Sequence, residues 1–253
     1  MNAAKPAWTA RRDIPAIVFS LSFPSLITWL YLVVFGSTGD SPAEASWSVR
    51  VSYGVGKIIQ FGFPAVYVCC FDRDRLRPTR PTAEGMVLGL GFGFLVAATM
   101  LGVYFGLLAD SPWFAETPGK INRLLRDAGF ATPMWYGLLG AFYTIVHSLM
   151  EEYYWRWFVF DRLRRGAPLW IAIGISAFGF MAHHVVLLAV YFPGRFWVLA
   201  LPLSIGIAVG GAVWAWIYQR AGSLYAVWVS HALVDASIFV IGYAMVAPLW
   251  RAD

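Results

Sequence analysis

Gly85-Met86-Val87-Leu88-Gly89-Leu90-Gly91-Phe92-Gly93-Phe94-Leu95-Val96-Ala97-Ala98-Thr99-Met100-Leu101-Gly102-Val103-Tyr104-Phe105-Gly106-Leu107-Leu108 runs without one acidic or basic side chain. A helix needs about 20 such residues to cross a bilayer. Comparable runs recur along the chain, at 14–35, 51–71, 133–160, 169–192, 196–218 and 224–249. The 253 residues are 59% hydrophobic and 13% charged, against about 25% charged in an ordinary soluble domain. These features predict an all-α, polytopic integral membrane protein of about seven transmembrane helices. An interrupted or re-entrant fourth segment, the longest of the seven, would make eight.

The net charge of +5 is not a nucleic-acid footprint, because the basic residues are scattered among short loops. Lys5, Arg11 and Arg12 precede the first run. Arg73, Arg75, Arg77 and Arg80 follow the second, and Arg162, Arg164 and Arg165 follow the fourth. This alternation predicts a cytoplasmic N-terminus. Ala43-Glu44-Ala45 resembles a signal-peptidase site, but the apolar run before it exceeds a signal core, so the run is read as a retained anchor. Adjacent Cys69 and Cys70 suggest no disulfide framework and are read as buried or interfacial filler. Ser111 to Phe130 is less apolar: Ile121, Leu124, Leu125 and Ala128 make one helical face opposite Lys120, Arg123 and Asp127, as in a lateral helix on the membrane surface. Glycines 85, 89 and 93, and again 206 and 210, have the spacing that lets helices approach closely.

The chemistry concentrates in the C-terminal half. Glu151 and Glu152 sit in the apolar sequence Leu149-Met150-Glu151-Glu152-Tyr153-Tyr154-Trp155-Arg156-Trp157-Phe158. All four histidines, His147, His183, His184 and His231, fall in or at the ends of apolar segments. Ionisable residues in a membrane are costly and are mostly functional. Residues four apart share a helical face, which relates His147 to Glu151, Glu152 to Arg156 and His231 to Asp235. Glu152 and Arg156 are expected to form an ion pair, with Glu151 turned about 100° away. A carboxylate in a dry pocket suits a general base, and imidazoles can hold water or an oxyanion. Tyr153, Tyr154, Trp155, Trp157 and Phe158 read as an interfacial aromatic belt.

Glu151-Glu152-x-x-x-Arg156, Phe180-x-x-x-His184 and His231-x-x-x-Asp235, in this order, resemble the three-motif signature of the CAAX-protease and bacteriocin-processing family of intramembrane proteases, related to the CAAX prenyl endopeptidases. The resemblance covers about the last 120 residues, and implies N-terminal membrane helices over 1–132 followed by a catalytic helical core over 133–253. It implies that Glu151 activates water, that Glu152 and Arg156 brace the site, and that His184 and His231 position water or stabilise the oxyanion. The family's last motif commonly ends in Asn. Asp235 departs from that pattern, and would orient His231 or ligate a metal. His183 lies about 100° from His184 and caps a network or faces the cavity rim. His147 has no counterpart in the motif and supports Glu151.

No cofactor is required by the resemblance, although two histidines and two carboxylates would satisfy zinc. The implied partners are a membrane protein or peptide substrate and the bilayer itself. The implied location is a bacterial cytoplasmic membrane, for which the excess of arginine over lysine is a compositional hint. Other chemistries fit less well: the chain has no His-Glu-x-x-His, Gly174-x-Ser176 is a common triplet, and Asp235 has no aspartyl partner. A proton-coupled carrier would use the same residue types but usually shows internal repeats. A non-catalytic binding or immunity protein of the same family is the remaining alternative.

Overall fold

The computed structural model describes residues 8–37, 42–72 and 80–251. Lys5, Arg73, Arg75 and Arg77, which carry part of the topology reading, lie outside the described residues. Those described are helical, with no strand among them. The principal helices are α1 (Ala10–Val34), α2 (Trp47–Asp72), α3 (Ala83–Leu108), α4 (Thr117–Ala128), α5 (133–166), α6 (Leu169–Tyr191), α7 (Phe196–Ala221) and α8 (Leu224–Arg251). Their ends follow local chemistry. Thr82 and Thr132 accept hydrogen bonds from the backbone N–H of Gly85 (3.1 Å) and Trp135 (3.4 Å), capping α3 and α5. Gly129 (φ 83°) closes α4 and Gly222 (φ 62°) turns the chain from α7 into α8, both in the left-handed region that glycine enters freely.

Among the described residues six helices, α1, α2, α3, α6, α7 and α8, are long and apolar enough to cross a membrane, so the protein is a polytopic helical membrane protein. The expected count of seven is not reached on this criterion. The remaining segment, α5, is helical throughout, but tyrosines, Thr144, His147, two glutamates, Asp161 and four arginines lower its apolarity.

The chain divides into two compact units. The first holds residues up to 79 and 152–219, and the second holds 80–151 and 220–253. The boundary in α5 falls between Glu151 and Glu152.

In the first unit, α1 packs against α6 and α2. Its centre is aromatic: Tyr154, Trp155 and Phe158 are fully or almost fully buried. Tyr154 Oη donates to Ser20 O (2.9 Å), and the Phe158 ring meets those of Phe63 and Tyr67 edge-on. The interfacial-belt reading is therefore corrected for these three residues. They face protein because the α5 turn that carries them is enclosed by α1, α2 and α6. Tyr153 and Trp157 are half-buried and stack on each other (centroids 5.1 Å). Cys69 and Cys70 are exposed thiols, which sets aside the buried half of the buried-or-interfacial reading.

The first unit also holds a buried charge cluster. Arg162 Nη1 donates to Asp13 Oδ1 at 2.8 Å, and Arg162 Nη2 donates to Asp72. Tyr67 Oη donates to Asp13 at 2.5 Å. Arg12 and Arg165 also lie within ion-pair reach of Asp72, and Arg165 pairs with Asp161 at 2.9 Å. Burial works against the Arg162 charge, but hydrogen bonds and charges from Asp72 and Asp13 outweigh it and hold its pKa above the ordinary arginine value.

In the second unit, α8 packs along α3 and also meets α4 and α5. Of the two glycine series, only one makes a close helix contact. Carbon placed on Gly85, Gly89 or Gly93 would collide with Ala221, Ala226 or Ser230, whereas Gly206 faces open space and Gly210 touches only Trp214. In α4, Leu125 is buried and Ile121 is partly buried against Tyr104 and Tyr136, but Leu124 is exposed. The buried stripe is thus narrower than the sequence pattern. Asn122 shapes it, since its Oδ1 accepts from Trp250 Nε1 at 2.8 Å.

Candidate active site

Two histidines singled out in the sequence converge in the second unit on Glu151, which is 4% exposed, and Asp235 joins them through His231. Helical spacing in α5 brings His147 Nδ1 to 3.9 Å from Glu151 Oε2. From α8, His231 Nε2 lies 3.7 Å from the same oxygen and 3.5 Å from Asp235 Oδ1. Two of these pairs are the i, i+4 relations legible in the sequence. The third crosses between helices and joins residues 80 positions apart. At these separations the groups couple electrostatically without forming short hydrogen bonds. A carboxylate flanked by two imidazoles, with a second carboxylate on one of them, can take a proton from water and share the resulting charge. Imidazole and carboxylate are also zinc ligands. Both separations, 3.5 Å to Asp235 and 3.7 Å to Glu151, are measured from His231 Nε2, so the imidazole is the group that the two carboxylates share.

In the first unit, Arg156 Nη1 donates to Glu152 Oε1 at 2.9 Å, and both side chains are almost completely buried. Arg156 Nη2 donates to Gly211 O at 3.4 Å. The guanidinium lies over Phe180 and Trp214, 4.7 and 5.1 Å from their centroids. A carbon on Gly211 would come 3.1 Å from Phe180 Cδ1, which explains a glycine there. The expected pair is therefore present, within an aromatic cage that the sequence did not disclose. Lysine cannot reproduce the planar fork or its stacking. Arg156→Lys is expected to lower stability by about 1–2 kcal/mol, read as a shift in unfolding in detergent.

The two α6 histidines of this unit differ. His183 is buried and stacks parallel to Trp155 (centroids 5.8 Å, 2° between planes). His184 is half-buried, with Nδ1 2.8 Å from Phe180 O. A carbonyl only accepts, so this contact puts a proton on Nδ1 and leaves Nε2 as the lone-pair nitrogen of neutral His184. Ser176 Oγ, the serine of Gly174-x-Ser176, donates to Trp155 O at 3.4 Å.

The helices and these buried groups define a polytopic membrane protein that carries paired ionisable side chains inside its helices. Residues 133–237 match the family model described as Type II CAAX prenyl endopeptidase Rce1-like. The match spans all three motifs and bears out the resemblance to CAAX proteases, a family that supports a protease activity. No curated protein and no solved structure matches the chain.

Proposed function

We propose that the protein is an endopeptidase that hydrolyses a peptide bond of a membrane-associated protein or peptide, with Glu151 as general base. The observation supporting this reading is the grouping of Glu151 Oε2, His231 Nε2 and Asp235 Oδ1 at 3.5–3.7 Å in a buried part of the second unit. Glu151 accepts a proton from water as the oxygen attacks the scissile carbonyl. It then passes that proton to the departing amine, so the base is regenerated each turn. His231 and His184 stabilise the oxyanion of the tetrahedral intermediate. With Nδ1–H directed at Phe180 O, His184 donates through Nε2 only as imidazolium. Glu152 and Arg156 brace the helix that carries Glu151, His147 supports Glu151, and His183 is held against Trp155. A bound zinc would acidify water, but the steps above need none.

Asp235 orients His231 in this account. Asp235→Asn is expected to retain hydrolysis within about tenfold, because an amide keeps the shape and a polar oxygen beside the ring, while Asp235→Leu loses more. Initial rates on a cleaved peptide test this. Collapse of the Asn variant to the level of the Leu variant would favour a metal-ligand role for Asp235.

The basic runs support a cytoplasmic N-terminus, and the excess of arginine over lysine supports a bacterial inner membrane. The reading as a whole is tested with purified protein in nanodiscs and a library of membrane-anchored peptides, with and without chelator. New termini seen by mass spectrometry, indifferent to chelator, are expected. Loss with chelator and recovery with zinc would make the enzyme a metalloprotease. No cleavage by folded protein would favour the binding or carrier readings.

A further inference from the structure

We infer that Gly93, supported by Gly89, is a positioning residue for His231, so that α3, which precedes the matched 133–237 segment, sets the depth of the functional face of α8. The functional role of His231 in this inference rests on the proposed function. The placement of its ring does not.

Glycines 85, 89 and 93 are buried on one face of α3. Carbon placed on Gly93 would lie 2.9 Å from both Cα and O of Ser230, and 3.0 Å from Leu233 Cδ1. One turn earlier, carbon on Gly89 would run into the backbone carbonyl of Ala226. Farther along, Ser237 Oγ contacts Met100 Sδ at 3.7 Å. Residues 226, 230, 233 and 237 form a single stripe on α8 at helical spacing. α3 therefore holds α8 at Ser230 and Ser237, on either side of His231 and Asp235. The adjoining stripe carries both functional side chains.

The contacts at Ala226 and Ser230 are to backbone, which cannot rotate away as a side chain can. A methyl group at Gly93 must displace α8 at the residue before His231. That movement acts on separations of 3.5 and 3.7 Å from His231 Nε2 to Asp235 and Glu151. Misplacement of a reacting group by about 1 Å can cost on the order of 100-fold. The same helix supplies its own control, because carbon on Gly91 would meet nothing within 4 Å.

The test compares Gly93→Ala, Gly89→Ala and Gly91→Ala in nanodiscs, using protein labelled with ¹⁵N-histidine. Four ring systems are few enough to assign by single substitution. The inference expects the His231 ring resonances to move in Gly93→Ala and to stay put in Gly91→Ala. On a cleaved peptide from the membrane-anchored library, kcat should fall by about 10–100-fold in Gly93→Ala with little change in KM. Unmoved His231 resonances in folded Gly93→Ala would overturn the inference. Should Gly93→Ala not fold, Gly89→Ala is judged by the same criteria. Failure of both to fold would also overturn it, since the glycine face would then serve stability alone. Moved resonances with no hydrolysis by wild type would uphold the placement and count against the proposed function.

Discussion

Glu151→Gln is expected to lower the rate of peptide hydrolysis by a factor of about 10²–10⁴ while leaving the protein folded. The substitution keeps the shape of the side chain and removes its basicity. It also removes the negative charge that lies between His147 Nδ1 at 3.9 Å and His231 Nε2 at 3.7 Å, so an amide cannot take the proton from water or help hold an imidazolium. Glu152→Gln, one residue on, should behave differently. It strips Arg156 of the carboxylate 2.9 Å from Nη1, and should show first in unfolding. Loss of activity at position 151 with an unchanged unfolding midpoint, against loss of stability at 152, is the pattern to look for in parallel rate and thermal measurements.

The second large effect is expected far from the motifs. Arg162→Met should destabilise the first unit by about 3–5 kcal/mol, the cost of leaving buried charge without its partner. Arg162 is 2% exposed and Asp13 fully buried, and the Asp72 side chain is likewise withdrawn from solvent. Removing the guanidinium leaves two carboxylates facing each other across its place, with the Thr9 N–H, Arg12 and Tyr67 still on Asp13 and Arg12 and Arg165 at 3.5 Å from Asp72. Adding Asp13→Asn to Arg162→Met should recover part of the loss, because the amide needs no counterion. A denaturant or thermal series over the two single variants and the double variant reads this coupling directly. Additive losses would show that the cluster contributes little as a unit.

Membrane character was legible because span length and the absence of charge are properties of contiguous sequence, as in Gly85 to Leu108. The pairs Glu152–Arg156, His147–Glu151 and His231–Asp235 were legible because helical phase is local. The approach of His231 to Glu151 needed two helices to meet, and only the motif resemblance hinted at it. Three features escaped. Tyr154, Trp155 and Phe158 have the composition of an interfacial belt, and only the packing of α1, α2 and α6 reveals them as core. Asp13 and Arg162 are 149 positions apart, and nothing local in the sequence relates them. Gly206 and Gly210 share the spacing of Gly89 and Gly93, but spacing does not say which face meets a neighbour.

The central claim is that Glu151 activates the attacking water. The most direct measurement is digestion of one membrane-anchored peptide in ¹⁸O water by wild type and by Glu151→Gln, both in nanodiscs and both shown folded. The account predicts new C-termini carrying ¹⁸O from the wild type, and at most about a hundredth of that product from the variant. Equal yields of labelled product from the two proteins would contradict it.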